Sequence, residues 1–451
     1  MAAATLTVWP PWLSCHCCRR CCQLRFVGCN FSEVLRSDSG ASWRALPEEC
    51  LRAILSSDGL LVPESELDVF HAVTDWVSAD EARRPLLAQL LQQHVILSIL
   101  SPACLQRQVA ENPVVAGCPE AHAVVAAALA AVQKLAASGS SRASLDTSSG
   151  ASRRNFATGI MVMGGHDSGW HSLRTSEVYD PQTDSWQAGP MLPASMCPGL
   201  SFIGCASVNG SLYTVGGSAF FSPVAVYDPR EDSWASCPPL SCPRVNMAVT
   251  GCSGSLFAIG GRTGPGVGQV LSSVEYYQPD EGTGWQLGSS MSSGRTSLGA
   301  ATLGGWLYAV GGQAGRTIFD TVEAMDMATG VWRTVSCPML QARKYVSVGT
   351  AEGRLIVFGG MNSQRARLST VEAYDPREGV WRALGSMGVA RSSAGVAALH
   401  SGLYVAGGNG CDDQVHDSME VYEPAMDTWR FAAPISTPRS GLGVAVIGPR
   451  P

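Results

Sequence analysis

From residue 159 onward the apolar residues fall in short runs with a period of two, interrupted every few residues by Gly, Pro, Asn or Asp, which is the pattern of short strands joined by tight turns. The last repeat reads as four such strands: GVAALHSG, LYVAGG, MEVYEP and DTWRFA. Upstream the period changes. Leu67, Phe70, Val73 and Val77 share one face of a predicted helix, and AVVAAALAAV, residues 123–132, predicts a second, packed helix. That alanine-rich run is about half the length of a membrane span. The polar stretch SGSSRASLDTSSGASRR predicts a flexible linker over 137–155 between a helical region, 25–136, and a strand-rich region, 156–449.

Two independent series show that the strand-rich region is a repeat. Glycine pairs begin at Gly164, Gly216, Gly260, Gly311, Gly359 and Gly407, each closing an apolar strand. Trp186, Trp234, Trp285, Trp332, Trp381 and Trp429 recur at intervals of 48, 51, 47, 49 and 48 residues. A unit of four strands and roughly 50 residues is one propeller blade, which cannot bury both of its faces alone and must stack against its neighbours. The tryptophans and Tyr179, Tyr227, Tyr277, Tyr374 and Tyr422 are the expected inter-blade packers, with Met325 at the tyrosine position of the fourth unit. The paired glycines suit a sharp backbone turn rather than a phosphate cradle.

The first unit, starting at GIMVMGG, has no inner strand, whereas STPRSGLGVAVIG, residues 436–448, is one spare strand of that type. An open ring would leave strand edges unpaired, so the C-terminal strand is expected to complete blade one. Two charged series follow the repeat: Arg244, Arg295, Arg343, Arg391 and Arg439, and Glu177, Glu275, Glu323, Glu372 and Glu420. Counting from the tryptophans puts the arginine gap at Met196 and the glutamate gap at Ala225, both in blade two. Loss of both members together strands neither charge, so each arginine is expected to pair with the glutamate of its own blade.

Composition narrows the function classes. With 45% hydrophobic and 15% charged residues the chain has material for two cores, and its net charge of -6 without a basic run argues against nucleic acid. The N-terminus lacks a charged region ahead of an apolar core, so the expected location is cytoplasmic, possibly nuclear. Five of the 16 cysteines fall in CHCCRRCC (Cys15, Cys17, Cys18, Cys21 and Cys22), without the second ligand pair that a zinc site needs, so residues 1–24 are expected to be a divergent, disordered tail and no metal or cofactor is assigned. Palmitoylation of the cluster is an alternative. Only Lys134 and Lys344 supply lysine.

The glycine pair, the V-E-x-Y-D-P stretch, the tryptophan and the P-R or A-R before each inner strand together resemble the Kelch repeat across residues 156–449. ALPEECLRAILSSDGLLVPESELDVFHAVTDWV, residues 45–77, resembles the BACK domain of Kelch-like proteins, although HVILSIL, residues 94–100, departs from that family's arginine-led segment. The expected fold is therefore an all-β six-bladed Kelch β-propeller preceded by a small all-α BACK domain. The resemblance implies a protein-binding propeller, the substrate-recognition part of a cullin-RING ubiquitin ligase adaptor. No room is left for the BTB domain through which that family dimerises and holds the cullin, so a shortened form is expected, with cullin binding doubtful. Actin binding or a scaffold role is an alternative, and a metal-dependent oxidase-like propeller a remote one.

The resemblance places the partner on the face built from the loops after the glycine pairs and the loops entering the inner strands. Carried over by position, the first set is His166, Ser218, Arg262, Gln313, Met361 and Asn409, and the second is Asn246, Ser297, Lys344, Tyr345, Ser392, Ser393 and Ser440. Solvated loops without a role are the alternative for each residue taken singly. No catalytic set stands out, His400 being assigned to a hairpin; His166, His171, Cys411, Asp412, Asp413 and His416 have ligand chemistry and would approach one another once the ring closes, but two solvated loops that happen to contain histidine are the preferred reading and no metal is assigned to them.

Overall fold

The computed structural model describes residues 43–55, 66–138 and 159–448, except 96, 98–99, 101–103, 194–199, 219, 230, 253, 265–267 and 400–401. The expectations for the N-terminal tail, for the linker beyond Ser138, for His400 and for Met196 fall outside those residues. Helices α1 (Glu48–Leu55), α2 (Glu66–Ser78), α3 (Leu87–His94), α4 (Pro113–Ala116) and α5 (Pro119–Ser138) form the N-terminal unit. Leu67, Phe70, Val73 and Val77 of α2 are all buried in one core with Leu90 and Leu91 of α3 and Val125 and Val132 of α5, as the spacing of the apolar positions requires. The indole of Trp76, buried in that core, donates to Leu46 O at 2.8 Å, so the large ring is packed without leaving its N–H unpaired.

Among the described residues the strands form six four-stranded antiparallel sheets, with one short extra hairpin, Gln313–Ala314 and Thr317–Ile318, in blade four. Blade six consists of Gly395–Leu399, Gly402–Ala406, Met419–Glu423 and Thr428–Ala432, the four strands anticipated from its sequence. In blade one the inner strand is Gly443–Ile447, paired antiparallel with Gly159–Met163 from Met163↔Gly443 to Gly159↔Ile447. The ring is closed by the C-terminal strand, as the missing inner strand demanded. Neighbouring blades share cores: Ile160 and Tyr179 of blade one pack with Tyr404 and Val421 of blade six.

The repeated tryptophans also join the blades through hydrogen bonds. Trp186, Trp285, Trp332, Trp381 and Trp429 each donate Nε1–H to a backbone carbonyl of the preceding blade, at Ala433, Pro238, Ser289, Cys337 and Gly385. Trp234 of blade two breaks the series: its buried Nε1 makes no hydrogen bond within the described residues.

The helical unit meets the propeller at two hydrogen bonds, from Arg107 to Ala425 O at 3.2 Å and from Gln108 to Glu352 at 2.8 Å. Glu352 lies in the turn between the first two strands of blade five, and Ala425 in the turn between the last two of blade six. In an antiparallel blade those turns lie at the end opposite the loops after the glycine pairs. Among the described residues, the hydrogen bonds of the helical unit to the propeller are therefore at the end opposite the loop face.

Candidate functional site

Five buried ion pairs underlie the loop face. Arg244–Glu275 at 2.8 Å, Arg295–Glu323 at 3.1 Å, Arg391–Glu420 at 2.7 Å, Arg439–Glu177 at 2.8 Å and Arg343–Glu372 each join an arginine to the glutamate of its own blade, the pairing anticipated from the repeat. Each guanidinium does more than meet a carboxylate. In blade four, Arg295 also donates to Gly311 O, to Thr321 O and to Thr321 Oγ1. The first glycine of the pair, with φ of 60° in Gly311, turns its carbonyl to the guanidinium in a conformation that L side chains rarely adopt. The glutamate completes the clamp from the other side, Glu323 accepting N–H bonds from Ser292 and Ser293 in the loop that enters the inner strand. Burial lowers the pKa of Arg295, Arg343, Arg391 and Arg439, an effect that the facing glutamate opposes. The facing carboxylate and the glycine, Ser or Thr acceptors compensate the buried charges, although Arg391 Nε makes no hydrogen bond among the described residues.

Blade two lacks the whole set, and one position requires correction. Gly165 N–H donates to Leu200 O exactly as Gly217, Gly261, Gly312, Gly360 and Gly408 donate to the carbonyls of Arg244, Arg295, Arg343, Arg391 and Arg439. The residue at the arginine position is thus Leu200, not Met196, because the loop after Trp186 is longer than its counterparts and counting forward from the tryptophan stops short. Ala225 replaces the glutamate, and Pro223, whose carbonyl receives the Gly216 N–H, replaces the Ser or Thr. Leu200 and Ala225 are buried in one apolar cluster with Leu192 and Ile203. An ionic clamp has been exchanged for hydrocarbon.

Two residues beyond the arginine position, the backbone takes the left-handed conformation in every blade: Phe202, Asn246, Ser297, Tyr345, Ser393 and Gly441 have φ between 53° and 61°. These residues ring the propeller axis, and hydrogen bonds link them from blade to blade: Phe202 N to Gly441 O, Gly441 N to Ser393 O, Ser393 N to Tyr345 O, Tyr345 N to Ser297 O and Ser297 N to Asn246 O, at 2.7–2.9 Å. The residues one step earlier are held in short bridges to those following the glycine pairs: His166↔Ser440, Val245↔Arg262, Thr296↔Gln313, Lys344↔Met361 and Ser392↔Asn409.

The structure therefore places most of both sequence-derived sets in these bridges or one step beyond them, with different degrees of exposure, and among the described residues Ser218 of blade two takes part in no such bridge. His166, Ser218, Ser297, Met361, Ser392, Asn409 and Ser440 are buried, whereas Asn246, Arg262, Gln313, Lys344, Tyr345 and Ser393 are half-buried and reach the surface of the face. Within the described residues, Asn246 Oδ1, Ser297 Oγ, Asn409 Oδ1 and Ser440 Oγ are buried without a hydrogen bond. Ser218 Oγ accepts from the backbone of Phe220 and Phe221, shaping the loop that carries both rings. Lys344 Nζ donates to Gln313 Oε1 at 2.7 Å and lies 5.5 Å from the Tyr345 ring. Burial, and then the positive charges of Arg365 and Arg367, lower the Lys344 pKa from its usual value.

Matching hairpins project from blades one, five and six. Trp170, Arg365 and Asp413 occupy the same place after their glycine pairs, each with positive φ, and Asp167 and Asn362 brace the first two loops through their side-chain oxygens. Trp170 and Arg365 escaped the sequence reading, whose partner-binding set stopped one residue past the glycine pair, and Asp413 entered it only as a candidate ligand. Phe202 escaped with the misplaced arginine gap. Counting back two residues from the inner strand, Gly204–Val208, finds it.

The candidate metal ligands are not gathered. His171 turns to its own loop's Asp167 at 3.2 Å, Asp413 pairs with Arg367 at 2.9 Å, and no group of three His, Cys, Asp or Glu residues with ligand geometry occurs among the described residues. No described helix is long and apolar enough to cross a membrane.

Comparison with known proteins places this geometry. The family model of the BACK domain ("BTB And C-terminal Kelch") matches residues 14–110, and the Kelch motif matches six times, over 156–192, 199–241, 243–292, 294–339, 342–388 and 390–436. Kelch-like protein 35 of Mus musculus is 28% identical over 340 residues, 74% of this chain and 56% of that protein. Kelch-like protein 35 of Homo sapiens is 29% identical, over 62% of this chain and 46% of that protein. Kelch-like ECH-associated protein 1A of Danio rerio is 30% identical over 52% of this chain and 37% of that protein. The chain thus spans about half the length of the first two relatives.

Proposed function

Since the chain belongs to the Kelch-repeat family, with a BACK domain ahead of six repeats, we propose that it is a protein-binding module whose propeller recognises a partner on the loop face. The observation that carries this reading is the build of that face: a rigid ring of backbone bonds and buried ion pairs beneath hairpins whose side chains differ from blade to blade. Repeated support under variable tips is how a scaffold presents a recognition surface. The helical unit contacts the opposite end of the blades, so a partner has access.

Resemblance to Kelch-like proteins extends the proposal to a role in presenting the partner for ubiquitin ligation, inside the cell. Cys50, Cys118, Cys205, Cys237, Cys242, Cys337 and Cys411 are free, which suits a reducing compartment. The direct test is affinity capture with the full chain from cells, read by quantitative mass spectrometry. Partners held by the wild type should be lost with Tyr345→Asn/Arg365→Asp and kept with Gln364→Ser or with Arg377→Ala on the opposite end of blade five. Partners unaffected by the first variant would remove the loop face from the account.

A further inference from the structure

Aromatic and cationic side chains stand over different blades of the loop face. Over blades one and two stand Trp170, 61% exposed, Phe220, 77% exposed, and Phe221. Over blade five stand Lys344, Arg365 and Arg367, close enough to shift the lysine's titration. Asp413 of blade six offsets one of these charges through Arg367 and leaves the cluster cationic.

The two regions are connected. Trp170 packs edge-on against His166 with ring centroids 4.2 Å apart, His166 lies 5.4 Å from Phe202, and Phe202 lies 6.2 Å from Tyr345 of blade five. Blades two and five are opposite each other in a ring of six, so the Phe202 and Tyr345 rings meet over the propeller axis. Lys344 follows at 5.5 Å from Tyr345. A continuous track thus crosses the face from an aromatic end to a cationic one, and its steps span no more than about six residues of extended chain.

Blade two is also where the repeat is least regular. Leu200, Pro223 and Ala225 replace its clamp, Trp234 Nε1 lacks an acceptor among the described residues, and its axis position carries a phenylalanine where other blades have Asn, Ser, Tyr or Gly. The backbone conformation does not require an aromatic there, since Gly441 adopts it in blade one; the Phe202 ring lies over that glycine, in the space a side chain at 441 would fill. Exposed aromatic side chains beside a cationic cluster complement a ligand of the opposite charge with bulky hydrocarbon.

We propose that the loop face takes one extended segment of a protein partner, with a bulky apolar side chain against Trp170 and Phe202 over blades one and two and acidic side chains against Lys344 and Arg365 over blade five. This rests on the loop-face reading given above. The buried, unpaired Asn246 Oδ1, Ser297 Oγ and Asn409 Oδ1 near the axis are additional hydrogen-bonding groups that a segment's backbone N–H could reach after small rotamer changes.

A phage-displayed library of random 12-residue peptides, panned on the full chain, tests the proposal. Enriched peptides should combine an aromatic or large aliphatic residue with two or more acidic residues. Each of two variants should weaken them at least about tenfold: Phe202→Gly, which copies blade one's own axis residue, and Arg365→Asp, which copies blade six's hairpin tip. Thermal unfolding of each variant confirms that it folds, and Trp170→Gly, at an exposed tip, serves should Phe202→Gly fail to fold. Peptides without acidic residues, or peptides indifferent to both Phe202→Gly and Trp170→Gly, would overturn the proposal. A library that yields no loop-face binder would overturn it too, while cellular capture of folded partners through Tyr345 and Arg365 would keep the broader reading. Peptides weakened only by changes at the opposite end of the blades would overturn both.

Discussion

Arg439 donates to Glu177 at 2.8 Å across 262 residues of chain, and this one hydrogen bond ties the last strand of the propeller to the first repeat. Glu177 in turn accepts N–H bonds from Ser436 and Thr437, so three donors of the closing segment converge on a single buried carboxylate. Closure is electrostatic as well as a matter of strand pairing.

Deleting residues 436–451 should therefore abolish the cooperative unfolding of the propeller rather than trim a tail. It removes the inner strand of blade one, exposes an edge of Gly159–Met163 and leaves Glu177 buried without its cation. Calorimetry of the truncated chain checks this, and an unchanged propeller transition would contradict the closure.

Blade two shows how the clamp can be dispensed with, and the same exchange should work elsewhere. Arg439→Leu alone should cost about 3–5 kcal/mol, because it leaves a buried carboxylate facing hydrocarbon. Arg439→Leu/Glu177→Ala, which copies Leu200 and Ala225, should be more stable than Arg439→Leu alone. Denaturant titration of the two single variants and the double gives the coupling directly.

The reciprocal change should fail in isolation. Ala225→Glu would place a carboxylate at a fully buried position of an apolar cluster, at a cost on the order of 3 kcal/mol. Adding Leu200→Arg and Pro223→Thr restores the partners present in the other blades, and the triple variant should recover part of the loss in a thermal melt.

Acid should weaken the propeller through its histidines before the carboxylates protonate. Burial lowers the pKa of His166, with Asp167 opposing, and that of His416, with Arg391 adding to the effect. A base whose folded pKa is depressed is neutral in the fold and binds protons more readily when unfolded. Its stabilising contribution is complete above the unfolded value of about 6.5 and declines as pH falls below it. His166→Asn, which copies Asn409 of blade six, should flatten the fall in stability between pH 6.5 and 5 relative to wild type. An identical slope would contradict the assignment.

The propeller, its closure and its ion pairs were legible in the sequence because each is repeated, and a repeated residue reports its role through its gaps. Arg439 and Glu177 could be paired from opposite ends of the domain only because five blades keep both and one keeps neither. The misplaced gap has the complementary cause: a single longer loop after Trp186 shifts the count, and Leu200 carries no side-chain signal of the position it fills. The recognition surface was less legible. Its backbone positions repeat, which placed Asn246, Ser297, Tyr345 and Ser393 in the loops entering the inner strands, but Trp170, Phe220 and Arg365 are singular residues at hairpin tips. Their meaning comes from which blades face each other across the ring, and that is fixed by the fold rather than by local sequence.

The most direct measurement of the central claim is hydrogen–deuterium exchange of the full chain with and without a partner recovered by affinity capture. Protection should appear in the loop-face hairpins around residues 166–172 and 361–367 and at the axis around Phe202 and Tyr345, leaving the turns at Glu352 and Ala425 unchanged. Protection confined to those opposite turns or to the helical unit would contradict the assignment of the loop face as the site of recognition.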